Sequence, residues 1–108
     1  MKIREIVREI NNLELGIIAE YGYSSTKENG IFVTDTLTKD ITKHNRGERI
    51  QILICMTEIE VGYLKVKEIA EKIKKKLDKM SCYDVSMHYV GEYQNKHSYS
   101  INLSTGGI

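Results

Sequence analysis

The chain has 108 residues, 41% of them hydrophobic and 29% charged, with a formal net charge of +1. This length predicts one domain, and near-average apolar content with both charge signs interspersed excludes wholesale disorder. A net charge so close to zero excludes a field able to draw the whole molecule onto nucleic acid or an anionic membrane, so such contacts are left to local patches.

Ile3, Ile6, Val7, Ile10 and Leu13 recur at helical spacing with Arg4, Glu5, Arg8 and Glu9 between them, which predicts an amphipathic helix of about three turns. The opening Met1-Lys2-Ile3-Arg4-Glu5-Ile6 lacks the apolar core of a secretory signal, and no run approaches the ~18 apolar residues of a membrane span. The expected compartment is the cytosol, with Cys55 and Cys82 reduced. Residues 15–21 are compact and β-branched and predict a first strand, with a continuous helix through Ala19 as the alternative. Gly22, Ser24, Ser25, Asn29 and Gly30 then punctuate a polar connection, where Asn29-Gly30 suits positive φ. The expectation is a hairpin with residues 31–37 as its second strand.

Residues 38–48, TKDITKHNRGE, contain one aliphatic side chain and cannot bury enough surface to offset their ordering. They predict a mobile polar arm. With Lys39, Lys43, His44, Arg46 and the adjoining Arg49, this arm is the better of two basic patches and the candidate interaction element. A merely soluble hairpin tip is the alternative. Residues 49–57 form the strongest predicted strand, with Ile50, Ile52, Ile54 and Met56 on one face and Gln51, Leu53 and Cys55 on the other. Two apolar residues on that second face predict a central strand covered on both sides.

Residues 58–80 predict the second helix, since Tyr63, Val66, Ala70, Ile73, Leu77 and Met80 step by three and four and Ile69 widens the stripe. Glu58 and Glu60 near its start and Lys74, Lys75, Lys76 and Lys79 near its end complement the helix dipole. Tyr83, Val85, Met87 and Tyr89 then alternate with Asp84, Ser86 and His88, and Gly91-Glu92 reads as a turn. Tyr99, Ile101 and Leu103 alternate with polar residues in a closing strand, after which residues 104–107 should fray. The sum is a single α+β domain over residues 1–108, in the order α-β-β-β-α-β-β: one mostly antiparallel sheet with two helices on one face.

No set of residues converges on chemistry. Cys82, His88 and His97 have the ligand types zinc prefers but fit no finger or ribbon spacing, and His88 shares a solvated strand face with Asp84 and Ser86. Cys55, inside the most apolar strand, reads as a small hydrophobe. Asp35 and Asp40 flank the polar arm, a poor place to hold two carboxyls rigidly. Ser104-Thr105-Gly106-Gly107 precedes no helix and makes no phosphate cradle. The expectation is therefore no catalytic residues, no metal and no cofactor. Among the tyrosines, Tyr83, Tyr89 and Tyr99 fall on inner strand faces, where packing outweighs base stacking, whereas Tyr21, Tyr23 and Tyr93 lie near turns. The helix face with Lys65, Lys72, Lys75, Lys76 and Lys79, interrupted by Glu68 and Glu71, reads by default as solvated surface.

The run Ile50 to Met56, the long helix after it, and Tyr89-Val90-Gly91-Glu92 followed by His97-Ser98-Tyr99-Ser100-Ile101-Asn102 resemble the small minor capsid and tail-completion proteins of long-tailed bacteriophages and prophages. The likeness spans residues 48–103; before that it is one of element order. The chain differs in having no proline before the last hairpin and residues 92–96 in place of a more glycine-rich turn. The resemblance implies a structural, non-catalytic role: a homo-oligomeric, hexameric ring of tail-terminator or head–tail joining type, in contact with tail tube and neck proteins. It also implies residence in the bacterial cytoplasm during assembly and then in the virion, with DNA passing through the channel and no membrane contact. Rival readings are a small nucleic-acid-binding module using the basic loop and the Lys face, and a small cytosolic enzyme subunit.

Overall fold

The structure, a computed structural model, describes residues 3–22, 29–36, 48–57, 62–80, 82–93 and 96–105. Its elements are α1 (Ile3–Asn12), β1 (Ala19–Tyr21), β2 (Gly30–Thr36), β3 (Glu48–Met56), α2 (Gly62–Asp78), β4 (Cys82–Tyr93) and β5 (Lys96–Thr105). The class is α+β, two helices with a five-stranded, mostly antiparallel sheet.

The apolar stripes place the helices. Ile6 and Ile10 of α1 and Val66, Ile69, Ala70, Ile73 and Leu77 of α2 join one core with Ile50, Ile52, Ile54 and Met56 of β3. Alternate strand residues share a face, so both helices cover the same side of the sheet. Ile31 and Val33 of β2 and Tyr99, Ile101 and Leu103 of β5 complete that side.

The strand order is β1-β2-β3-β5-β4. β3 is central, with Ile54 opposite Ile31 on one flank and Tyr99 on the other. β5 is antiparallel to both of its neighbours, so β3 and β4 run parallel to each other with β5 between them and α2 as the crossover.

Several local expectations are corrected. β1 and β2 do not form a hairpin; they pair in parallel, Ala19 opposite Ile31 and Tyr21 opposite Val33. The first strand starts late because α1 unwinds through tight turns, Leu13 N donating to Ile10 O at 3.1 Å and Glu14 N to Asn11 O at 3.2 Å. Glu14 (φ 52°) and Gly16 (φ 84°) then adopt left-handed conformations that break a regular extended run. Asn29-Gly30 is not a turn either, for Gly30 is the first residue of β2, and the Asn29 Oδ1 accepts a hydrogen bond from Thr57 N at 2.9 Å.

Gly91-Glu92, the expected turn, lies inside β4, where Gly91 faces Ser98, Glu92 faces His97 and Tyr93 faces Lys96. The pairing slips between Tyr89 and Gly91, which leaves Val90 as the extra residue of a bulge, and Gly91 takes φ 122°. A Cβ at this position would meet nothing within 4 Å, so replacement strains only the backbone. Gly91→Ala is expected to destabilise the protein by about 1–3 kcal/mol in urea titration. Of residues 104–107, expected to fray, Ser104 and Thr105 extend β5 opposite Arg49 and Glu48, and 106 and 107 lie outside the described residues.

The other side of the sheet, away from the described helices, is also covered in part, with Phe32 1% exposed. Cys55 is buried, Gln51 and Leu53 are half-buried, and both described helices lie on the opposite side. Here Phe32 faces Leu53, and Ser98, Ser100 and Asn102 face Cys55, Leu53 and Gln51. Ser100 is buried, and its Oγ accepts hydrogen bonds from Gln51 Nε2 at 3.0 Å and Asn102 Nδ2 at 3.2 Å. Those bonds supply the partner that a buried hydroxyl requires.

Candidate assembly surfaces

Sheet edges carry unpaired backbone groups and are natural points of association. One edge here is β1. The Asn11 side chain lies against it, donating from Nδ2 to Ala19 O at 3.2 Å and accepting from Ala19 N at 2.7 Å. A helix amide thus stands in for a further strand at that residue. Beside it, Ile18 is 72% and Tyr21 66% exposed.

The opposite edge is β4. Its bulge carries Val90 outward, 60% exposed. Tyr89 was expected in the core but is 41% exposed, because β4 is the outermost strand and the tyrosine sits at the core's margin. It packs against buried Tyr99, with ring centroids 5.3 Å apart, and against His97 at 6.4 Å, whose Nδ1 lies 3.0 Å from the Tyr89 Oη. The sequence reading missed this aromatic corner by placing the turn at Gly91. An isolated glycine inside an alternating strand is the signal of a bulge and would have revealed it.

Of the five basic residues singled out in the sequence, Lys39, Lys43, His44 and Arg46 lie outside the described residues. Arg49 is on β3, opposite Thr36 and Ser104, with an exposed side chain. His88 and His97 do not converge: His88 pairs with Ser100 on the side of the sheet away from the described helices, whereas His97 pairs with Met56 on the helix side. Among the described residues no three His, Cys, Asp or Glu side chains gather as metal ligands would. Cys55 is a buried free thiol whose sulfur accepts a hydrogen bond from Ser98 Oγ at 3.4 Å.

The outward face of α2 carries Lys72–Glu68 and Lys74–Asp78 ion pairs at 3.1 Å each, and Lys76 reaches Glu9 of α1 at 3.4 Å. Exposed pairs of this kind contribute about 1 kcal/mol or less apiece. No helix among the described residues is long and apolar enough to cross a membrane. Compared with family models, curated proteins and solved structures, the chain matches none.

Proposed function

We propose that the chain is a structural subunit of a long-tailed phage or prophage particle, a tail-terminator or head–tail joining protein that acts by forming a ring and performs no catalysis. The observation that carries this reading is where apolar surface remains. Of the five large hydrophobic side chains most exposed among the described residues, Ile18 and Tyr21 lie at one sheet edge and Tyr89 and Val90 at the other. Two dissimilar patches at opposite edges suit a head-to-tail contact, which closes into a ring when the rotation between subunits permits. A patch that paired with its own copy would instead stop at a dimer.

In this reading the subunit assembles in the bacterial cytoplasm, meets tail tube and neck proteins, and persists in the virion. Lys39, Lys43, His44 and Arg46, outside the described residues, are in this reading an interaction element for a neighbouring subunit or for DNA.

Blocking one edge at a time tests the reading by light scattering. The parent protein is expected to reach a closed oligomer as concentration rises, while Val90→Lys and Ile18→Lys each remain monomeric. Mixing the two variants should restore a single joint, because each retains the edge the other lacks, and yield a heterodimer that grows no further. A parent that stays monomeric at all concentrations, or variants that each form homodimers, would reject the ring. Oligonucleotide binding that weakens steeply with salt and ignores both edge substitutions would favour the nucleic-acid module instead.

A further inference from the structure

A groove of about 410 Å³ runs between the C-terminal half of α2 and the chain leaving α1, lined by Leu13, Leu15, Lys72, Lys75, Lys76 and Lys79. Its floor is apolar, since both leucines are half-buried against the core. Its wall is cationic and internally repulsive. Positions 72, 75, 76 and 79 form a rhombus on the helix in which every side is an i,i+3 or i,i+4 step, the spacings at which like charges destabilise a helix. Glu68 answers Lys72 at 3.1 Å and Glu9 answers Lys76 at 3.4 Å. Lys75 and Lys79 form no ion pair among the described residues. Two of the four cations are thus ion-paired, Glu71 stands one turn before Lys75 without a pair among the described residues, and the unpaired lysines lie beside partly exposed leucine surface.

We propose that this groove docks an acidic, aliphatic segment of a partner protein. Carboxylates of the segment neutralise Lys75 and Lys79, and its aliphatic side chains cover Leu13 and Leu15. A nucleic acid fits less well, for the described lining has no aromatic ring to stack on a base and no arginine to grip phosphate in a bidentate pair, while the leucines would be left against a charged backbone. The site is separate from the sheet edges, and its test does not depend on ring formation.

The experiment is a selection of random peptides of about a dozen residues displayed against the full chain, with the Lys75→Glu/Lys79→Glu double variant as the counter-target. The expected result is a consensus in which Asp or Glu alternates with Leu, Ile, Val or Met. By fluorescence anisotropy, the consensus peptide should bind the parent at least about tenfold more tightly than the double variant. Leu13→Ser, checked by circular dichroism to be folded, should weaken it about threefold or more, and raised salt should weaken it in the parent alone. Should Leu13→Ser fail to fold, Leu15→Ser replaces it. An enriched consensus without acidic residues, no consensus at all, or a peptide indifferent to the lysine substitutions overturns the proposal. It is equally overturned if a single-stranded oligonucleotide or phosphatidylserine vesicles bind the parent more tightly than the peptide and are insensitive to Leu13→Ser, since the groove would then be reading phosphate.

Discussion

Ile52→Ala and Ile73→Ala are each expected to lower unfolding stability by about 2–5 kcal/mol, the range for removing a fully enclosed branched side chain. Both isoleucines are 0% exposed and belong to the same core, one from the middle strand of the sheet and one from the second helix. The loss has two parts. Transfer of the deleted methyl and methylene groups is forgone, and the remaining void is poorly refilled because Ile50, Ile54, Val66 and Leu77 around the two elements are held in place by their own packing. A protein of this size has about 5–15 kcal/mol in total, so either variant should shift the urea midpoint strongly and populate unfolded chain at physiological temperature. Ile52→Val is the control, expected to cost about 0.5–1.5 kcal/mol. A result within half a kcal/mol of the parent for both alanine variants would mean that this helix and strand do not share a core.

The second large effect concerns Phe32 and Gly30. Phe32 is 1% exposed on the side of the sheet away from the helices, and its ring lies over Gly30 so closely that a Cβ there would sit 2.5 Å from Phe32 Cζ. Glycine at this position is explained by that ring and not by backbone conformation, since Gly30 is absent from the positive-φ residues. Phe32→Ala should cost about 3–5 kcal/mol, and Gly30→Ala about 1–3 kcal/mol because the added methyl must displace an enclosed ring. In the double variant the collision disappears, so its loss should fall short of the sum by about 1 kcal/mol or more. Strict additivity in thermal or urea unfolding would show that the ring does not constrain position 30.

The periodic segments were the legible part of this chain. Val66, Ile69, Ala70, Ile73 and Leu77 are all buried as their spacing predicted, and Ile50, Ile52, Ile54 and Met56 all face the helices. What the sequence concealed was the meaning of its glycines and the neighbours of its strands. Gly30 and Gly91 were both read as turn residues; one makes room for an aromatic ring and the other relaxes a bulge. Residue identity alone does not distinguish these uses, because each depends on a side chain or strand brought near by folding. The parallel partnership of the first two strands was hidden for the same reason, since a three-residue strand carries too little pattern to declare its direction. Of the candidate site, the exposure of Tyr21 was legible from its place beside a turn, while that of Tyr89 and Val90 required knowing that their strand is outermost and where it bulges.

The insertion of β5 between β3 and β4 has a consequence for how the chain matures. During synthesis β3 and β4 emerge before β5, the strand that joins them, so the nascent sheet has a vacant slot one strand wide beside the apolar β3. The hairpin that fills it is contiguous in sequence, which favours prompt closure by the chain's own residues. If that closure is slow, the slot can accept the same strand from a neighbouring copy with identical hydrogen bonds. Exchange of this kind would link two copies through the middle of the sheet. A slow β4–β5 hairpin would therefore favour strand exchange between copies, and a fast one self-contained folding.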